Sequence, residues 1–149
     1  MTEQEIRTIL NRQREYFATG ATLSRKFRAE QLGKLKASLQ RHEEELNAAL
    51  QQDLGKSRME SYMCEIGLTL SELTWMEKHI RRLTREKRVP TPLAQFAARS
   101  FQSPTPYGTV LIMSPWNYPV LLTLEPLIDA LAGGCLLYTS PSPRDYAAS

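Results

Sequence analysis

The 149-residue chain is poor in metal-binding and redox residues: it has two cysteines and two histidines. That excludes a disulfide framework and a zinc knuckle. His42 and His79 stand alone in polar helical settings, so no metal site is expected. No apolar run approaches the length of about eighteen residues that a membrane-spanning helix needs. The start Met1-Thr2-Glu3-Gln4-Glu5 is acidic where a secretory leader begins basic, which points to a cytoplasmic protein with no membrane segment. Charge of one sign is also scarce, because 19 Lys and Arg against 16 Asp and Glu leave a net +3. Much of that excess lies in residues 78–88, where no aromatic side chains are interleaved for base stacking. Cations at a helix end meet the negative pole of its dipole, so no nucleic-acid partner is expected.

What is present is an ordinary globular composition, 42% hydrophobic and 23% charged, enough to bury a core. The spacing of Ile6, Ile9, Leu10, Tyr16 and Phe17 predicts a helix over 3–18 that ends at Thr19-Gly20. Ser24 suits the N-cap of a second pattern running from Phe27 to Leu54 and closed by Gly55. Apolar positions are missing around Arg41-His42, which predicts a break there. A third stripe, Met59, Met63, Ile66, Leu70, Leu73, Met76, Ile80 and Leu83, steps by threes and fours. Tyr62, Cys64, Leu68 and Trp75 broaden it, as expected for a helix packed among several neighbours rather than a coiled coil.

Val89-Pro90-Thr91-Pro92 cannot continue a helix, since proline lacks a donor and biases its predecessor toward extended backbone. Residues 93–106 read as a proline-tolerant edge strand or hairpin arm. Tyr107-Gly108 then opens the apolar run 109–113, expected to be a buried strand of a parallel sheet. Ser114-Pro115-Trp116-Asn117-Tyr118-Pro119 follows, and the apolar-periodic segment 120–131 completes a βα unit. Pro119 suits a helix's first turn, Pro126 predicts a kink or restart, and Gly133-Gly134 a stop. Asn117 therefore sits at the carboxyl end of a strand, where open α/β sheets bind ligands. A side-chain amide there can donate to a developing oxyanion without ionising, or it can simply cap the next helix.

These residues carry a family likeness. The helices, the proline-punctuated arm, the run Tyr107 to Pro119 and Glu125-Pro126-Leu127-Ile128-Asp129-Ala130-Leu131-Ala132 resemble the aldehyde dehydrogenase superfamily. Tyr118 after Trp-Asn, and the short region before it, are most similar to its class 3 branch. The likeness spans residues 1–134 and is most specific from Tyr107 onward. It implies an α/β fold: N-terminal helices (1–92), an oligomerisation-type β arm (93–106), and the first βα unit of a Rossmann-like NAD(P)-binding domain (107–134), truncated. It also implies oxidation of a small-molecule aldehyde to a carboxylic acid through a cysteine thiohemiacetal, with NAD or NADP as cofactor and a homodimeric enzyme. By the same likeness Asn117 is the oxyanion-hole donor. Met113, Ser114, Pro115 and Trp116 approach the nicotinamide side of the cofactor, and Tyr118 borders the substrate tunnel. The family's catalytic cysteine and general-base glutamate lie downstream of this chain, and Cys64 is not their equivalent.

Residues 135–149 depart from the pattern. Cys135 to Asp145 resembles, residue for residue, the translation of a transposase adapter used in sequencing libraries, and no lysine stands where the family's next strand presents one. The segment is therefore expected to lie outside the fold, leaving the strand at 109–113 without a parallel neighbour and the chain inactive alone. A reading from another class is a self-standing helical interaction module, with the 59–83 stripe as partner face and residues 78–88 as a basic patch.

Overall fold

The computed structural model describes residues 2–139. In chain order these form α1 (Glu3–Ala18), α2 (Arg25–Arg41), α3 (Glu43–Leu54), α4 (Arg58–Ser61), α5 (Gly67–Leu83), β1 (Lys87–Val89), β2 (Ser100–Gln102), β3 (Thr109–Ile112), α6 (Pro119–Gly133) and β4 (Leu136–Thr139). Short 3-10 turns join some of them.

The helix ends follow from local chemistry. Thr2 and Glu5 form a reciprocal capping box at α1, and the Ser24 hydroxyl accepts from the Phe27 N–H at α2. The chain breaks at His42, after which Glu43, Glu44 and Glu45 place negative charge at the positive pole of α3. Gly55, at φ 67°, closes α3 in the left-handed conformation that glycine adopts without strain.

The third apolar stripe departs from a single helix. Between α4 and α5 the backbone widens into a π turn, Tyr62–Ile66, closed by the Gly67 N–H donating to the Tyr62 carbonyl. One extra residue in that turn rotates the stripe, so Met59 is 72% and Met63 61% exposed while Ile66, Leu73, Met76 and Ile80 are buried. A methyl group at position 67 would stand 2.7 Å from the Tyr62 carbonyl oxygen, which is why the turn requires glycine. The helix also ends at Leu83, earlier than the cationic run suggests. Lys87–Val89 instead pairs antiparallel with Ser100–Gln102, Val89 opposite Ser100, so the hairpin begins inside the segment assigned to the helical region. The extended bias of the residue before Pro90, together with a partner strand, accounts for the difference.

β3 and β4 pair in parallel, with Thr109 opposite Leu136 and Ile112 opposite Thr139, and α6 connects them as a βαβ unit. This overturns the expectation that β3 stands unpaired. Leu136–Thr139, from the segment expected to lie outside the fold, occupies the neighbouring strand position, and Cys135 is buried beside it. Its apolar, β-compatible composition suffices for the register. The rest of that segment, residues 140–149, lies outside the described residues. β3 is only half buried, with Leu111 54% exposed, because its sheet has two strands among the described residues. Helix α6 runs through Pro126 as one segment rather than restarting. Its contacts with α5 and α2 hold it across the missing N–H.

The core lies among α2, α5 and α6: Leu32, Ile66, Leu73 and Ile128 are fully buried, joined by Leu39, Leu50, Met76, Ile80 and Ala132. Beside it, Glu72 of α5 sits near Asp129 and Glu125 of α6. Burial first, then those two carboxylates, holds its carboxyl above the ordinary carboxylate range.

Two predictions follow from this packing. In an ordinary helix Gly→Ala gains up to about 1 kcal/mol. Gly67→Ala should reverse that sign and cost about 1–3 kcal/mol, read as a lower urea midpoint, because the new methyl meets backbone. Glu72 binds its proton more tightly folded than unfolded, so its contribution is present at low pH and lost as pH rises through the folded value. Glu72→Gln should therefore raise the thermal midpoint at pH 7, and the gain should disappear in melts taken below pH 4.5, the ordinary glutamate value.

Candidate active site

Six residues, Met113 to Tyr118, bridge the carboxyl end of β3 and the amino end of α6. Helix α6 has a specific need at that end. Pro119 occupies its first position and has no N–H, and the Leu122 N–H reaches the Tyr118 carbonyl at 3.0 Å. The N–H groups of Val120 and Leu121 remain to be satisfied. Neither Asn117 nor Tyr118 caps them with its side chain. The cap comes from Glu65 in the π turn, whose Oε2 accepts from Val120 N at 2.8 Å and Leu121 N at 3.3 Å.

Glu65 is fully buried, and its other oxygen accepts from Lys56 Nζ at 2.5 Å. Lys56, 7% exposed, also donates to the Asn117 backbone carbonyl at 2.9 Å and lies 4.0 Å above the Tyr118 ring. Taking two charges out of water is unfavourable unless each is fully partnered. Here the carboxylate accepts three hydrogen bonds, and the ammonium has a carboxylate, a carbonyl and an aromatic face. The other end of the loop is fixed separately, as Thr123 Oγ1 of α6 donates to Ser114 Oγ at 2.6 Å.

Met113, just before the first anchor, and Trp116, between the two, are each 78% exposed, so Trp116 does not fill core. Asn117 is exposed as well. Among the described residues no hydrogen bond holds its carboxamide, which leaves the amide free to donate at the mouth of the strand. Cys64 lies half-buried in the π turn. His42 and His79 are on the surface, His79 stacked on Trp75 at 4.3 Å between ring centroids.

With this geometry in place, the comparison with known proteins is decisive: the aldehyde dehydrogenase family model matches residues 1–148. The chain belongs to the aldehyde dehydrogenase family. It is 42% identical over 127 residues to the 4,4'-diaponeurosporen-aldehyde dehydrogenase of Staphylococcus aureus, covering 85% of this chain and 28% of that protein. To human aldehyde dehydrogenase family 3 member B1 it is 42% identical over 133 residues, 89% of this chain and 28% of the relative. The substrate-bound structure of Staphylococcus aureus AldH superposes with a TM-score of 0.88 at 39% identity, covering 95% of this chain and 31% of that one. Glyceraldehyde-3-phosphate dehydrogenase GapN of Methanocaldococcus jannaschii, complexed with NADP, shares the fold at a TM-score of 0.81 and 20% identity. The chain thus spans somewhat over a quarter of the length of these curated relatives, and its architecture is that of the N-terminal region of the aldehyde dehydrogenase fold.

Lys56, Glu65 and Thr123 are residues that sequence reasoning missed. The one available signal was a carboxylate, Glu65, set directly between Cys64 and Ile66 on an apolar helical face.

Leaving one member of the buried pair unpartnered should be severe. Lys56→Met is expected to lower stability by about 3–5 kcal/mol in denaturant unfolding. Removing Glu3 from its exposed pair with Arg7 should cost no more than about 0.5 kcal/mol.

Proposed function

We propose that this aldehyde dehydrogenase segment supplies the oxyanion-stabilising side of an active site that oxidises an aldehyde to a carboxylic acid, with Asn117 as the donor. The observation that carries the reading is the exposed Asn117 carboxamide, relieved of capping duty by Glu65 and held at the carboxyl end of β3. When a nucleophile adds to an aldehyde, negative charge collects on the carbonyl oxygen. A fixed neutral N–H donor stabilises that charge more than it stabilises the starting carbonyl. On the same reading Tyr118, next to it and under the Lys56 ammonium, borders the aldehyde's approach.

The NAD(P) cofactor of this reading supplies a hydride acceptor. The residues present fit one part of it. Met113, Ser114, Pro115 and Trp116 offer an open surface above a parallel strand pair, suited to a flat nicotinamide edge. They do not suit its diphosphate, because Glu65 already fills the anion-attracting amino end of α6. The nucleophilic cysteine and the general-base glutamate of the reaction belong, on this reading, to sequence outside this chain, and the 149 residues alone turn over no aldehyde.

No helix among the described residues is long and apolar enough to cross a membrane, in keeping with a cytoplasmic enzyme. On the β1–β2 hairpin and the turn that joins its strands, Leu93, Phe96 and Phe101 are 89%, 84% and 59% exposed. So much apolar surface on a small arm supports pairing with a second copy in a homodimer. The interaction-module reading is the weaker one, since Ile66, Leu73, Met76 and Ile80 of its proposed partner face are buried in the core.

In the full-length enzyme, Asn117→Ala should lower kcat by about two to three orders of magnitude while cofactor affinity, followed by fluorescence titration, stays near parental. Parental turnover in that variant would remove Asn117 from the chemistry.

A further inference from the structure

We infer that the Lys56–Glu65 pair is a positioning device for the Asn117 turn, setting where the oxyanion donor stands; this rests on the oxyanion reading above. The two side chains contact residues on either side of a single peptide corner. Lys56 holds the Asn117 carbonyl and covers the Tyr118 ring, while Glu65 holds the N–H groups of Val120 and Leu121. Every one of these contacts falls within the five residues 117–121. The pair therefore fixes both the orientation of the Asn117 peptide and the point from which α6 departs. Thr123 fixes the opposite end of the loop at Ser114.

A merely adhesive role fits the arrangement poorly. Two well-packed apolar side chains hold helices together as well as a buried ion pair, often better. What they cannot provide is an anion at a helix amino end and a donor to a loop carbonyl in one unit. The π turn serves the same end, because Glu65 lies in that one widened stretch, followed by a glycine that no larger residue can replace without displacing the Tyr62 carbonyl. The segment that gives up regular helical geometry is the segment that supplies the carboxylate.

The consequence is kinetic. A donor displaced by about an ångström from a developing charge can cost on the order of a hundredfold in rate while leaving ground-state binding largely intact. In K56M/E65Q no charge is left unpaired, and glutamine retains an acceptor for α6, but the Asn117 carbonyl loses its tether. In the full-length enzyme we expect kcat to fall about 10- to 100-fold with KM for aldehyde and cofactor within about threefold of parental. The same two substitutions made in an Asn117→Ala background should cost less than about twofold more, because the donor they position is already gone. A fluorescence melt reports the folded fraction; if K56M/E65Q does not fold, Lys56→Arg, which keeps a cation on Glu65 but moves the donor away from the Asn117 carbonyl, is judged by the same comparison.

An undiminished kcat in folded K56M/E65Q overturns the inference. An equal loss with and without Asn117 overturns it too, by showing that the pair acts on something else. Parental turnover in Asn117→Ala alone fails differently: it removes the oxyanion donor itself, and with it the reason for a positioning role.

Discussion

Helix α6 is gripped at both ends by buried charges matched to its dipole, and the arrangement of the site depends on that grip. At the amino end Glu65 brings a carboxylate to two N–H groups that have no partner within the helix. At the carboxyl end the buried Arg28 of α2 donates from Nη1 to the Ala132 carbonyl at 3.2 Å, and from Nε to the Thr22 carbonyl at 2.8 Å. An anion at the positive pole and a cation at the negative pole each stabilise a helix, more so in partly buried settings. Both charges come from elements far away in sequence, so forming α6 in place requires α2 and the π turn to be in place as well. Arg28 also packs so closely on Gly134 that a methyl there would come within 2.7 Å of three guanidinium atoms. A side chain at 134 would have to move the Arg28 guanidinium, and the left-handed φ of 84° disfavours one in any case.

That double anchorage explains how a loop can be exposed and still precisely built. Residues 113–118 have little of their own to hold them, since Met113, Trp116 and Asn117 face outward. Their geometry is inherited from the ends: a strand of fixed register below, and a helix of fixed position above. A neutral amide stabilises developing charge well only when it need not reorganise to do so. Residues of the N-terminal helical region thereby share in setting the geometry of the turn.

Elements decided by local rules were legible in the sequence. α1 has the expected bounds, the α2–α3 break falls at His42, and Gly55 and Gly134 end their helices as their backbone freedom predicts. Legibility failed where a non-local partner decided the outcome. The π turn leaves no mark in apolar spacing, so Met59 and Met63 read as core and emerge exposed. Lys87–Val89 reads as a helix end until its pairing with Ser100–Gln102 is seen, and Leu136–Thr139 becomes a strand because β3 offers an edge. The Asn117 motif was readable from a contiguous run, but its support was not, because Lys56 and Glu65 stand 61 and 55 residues away from the groups they hold.

On the proposed reading, the occupied amino end of α6 also constrains where a cofactor can sit. In open α/β sheets that end of a helix following a strand is a ready anion site. Here it is already neutralised by a side chain of the same chain, and Lys56 in turn neutralises that side chain. A phosphate approaching the turn would meet a satisfied dipole and a carboxylate behind it. Met113 to Trp116 carry no ionisable side chain, so on the proposed reading a neutral, flat group meets no charge there. The internal anion thus holds the loop in shape, and on the proposed reading it also leaves the mouth of β3 to the uncharged end of a ligand and to an oxygen whose charge develops during reaction.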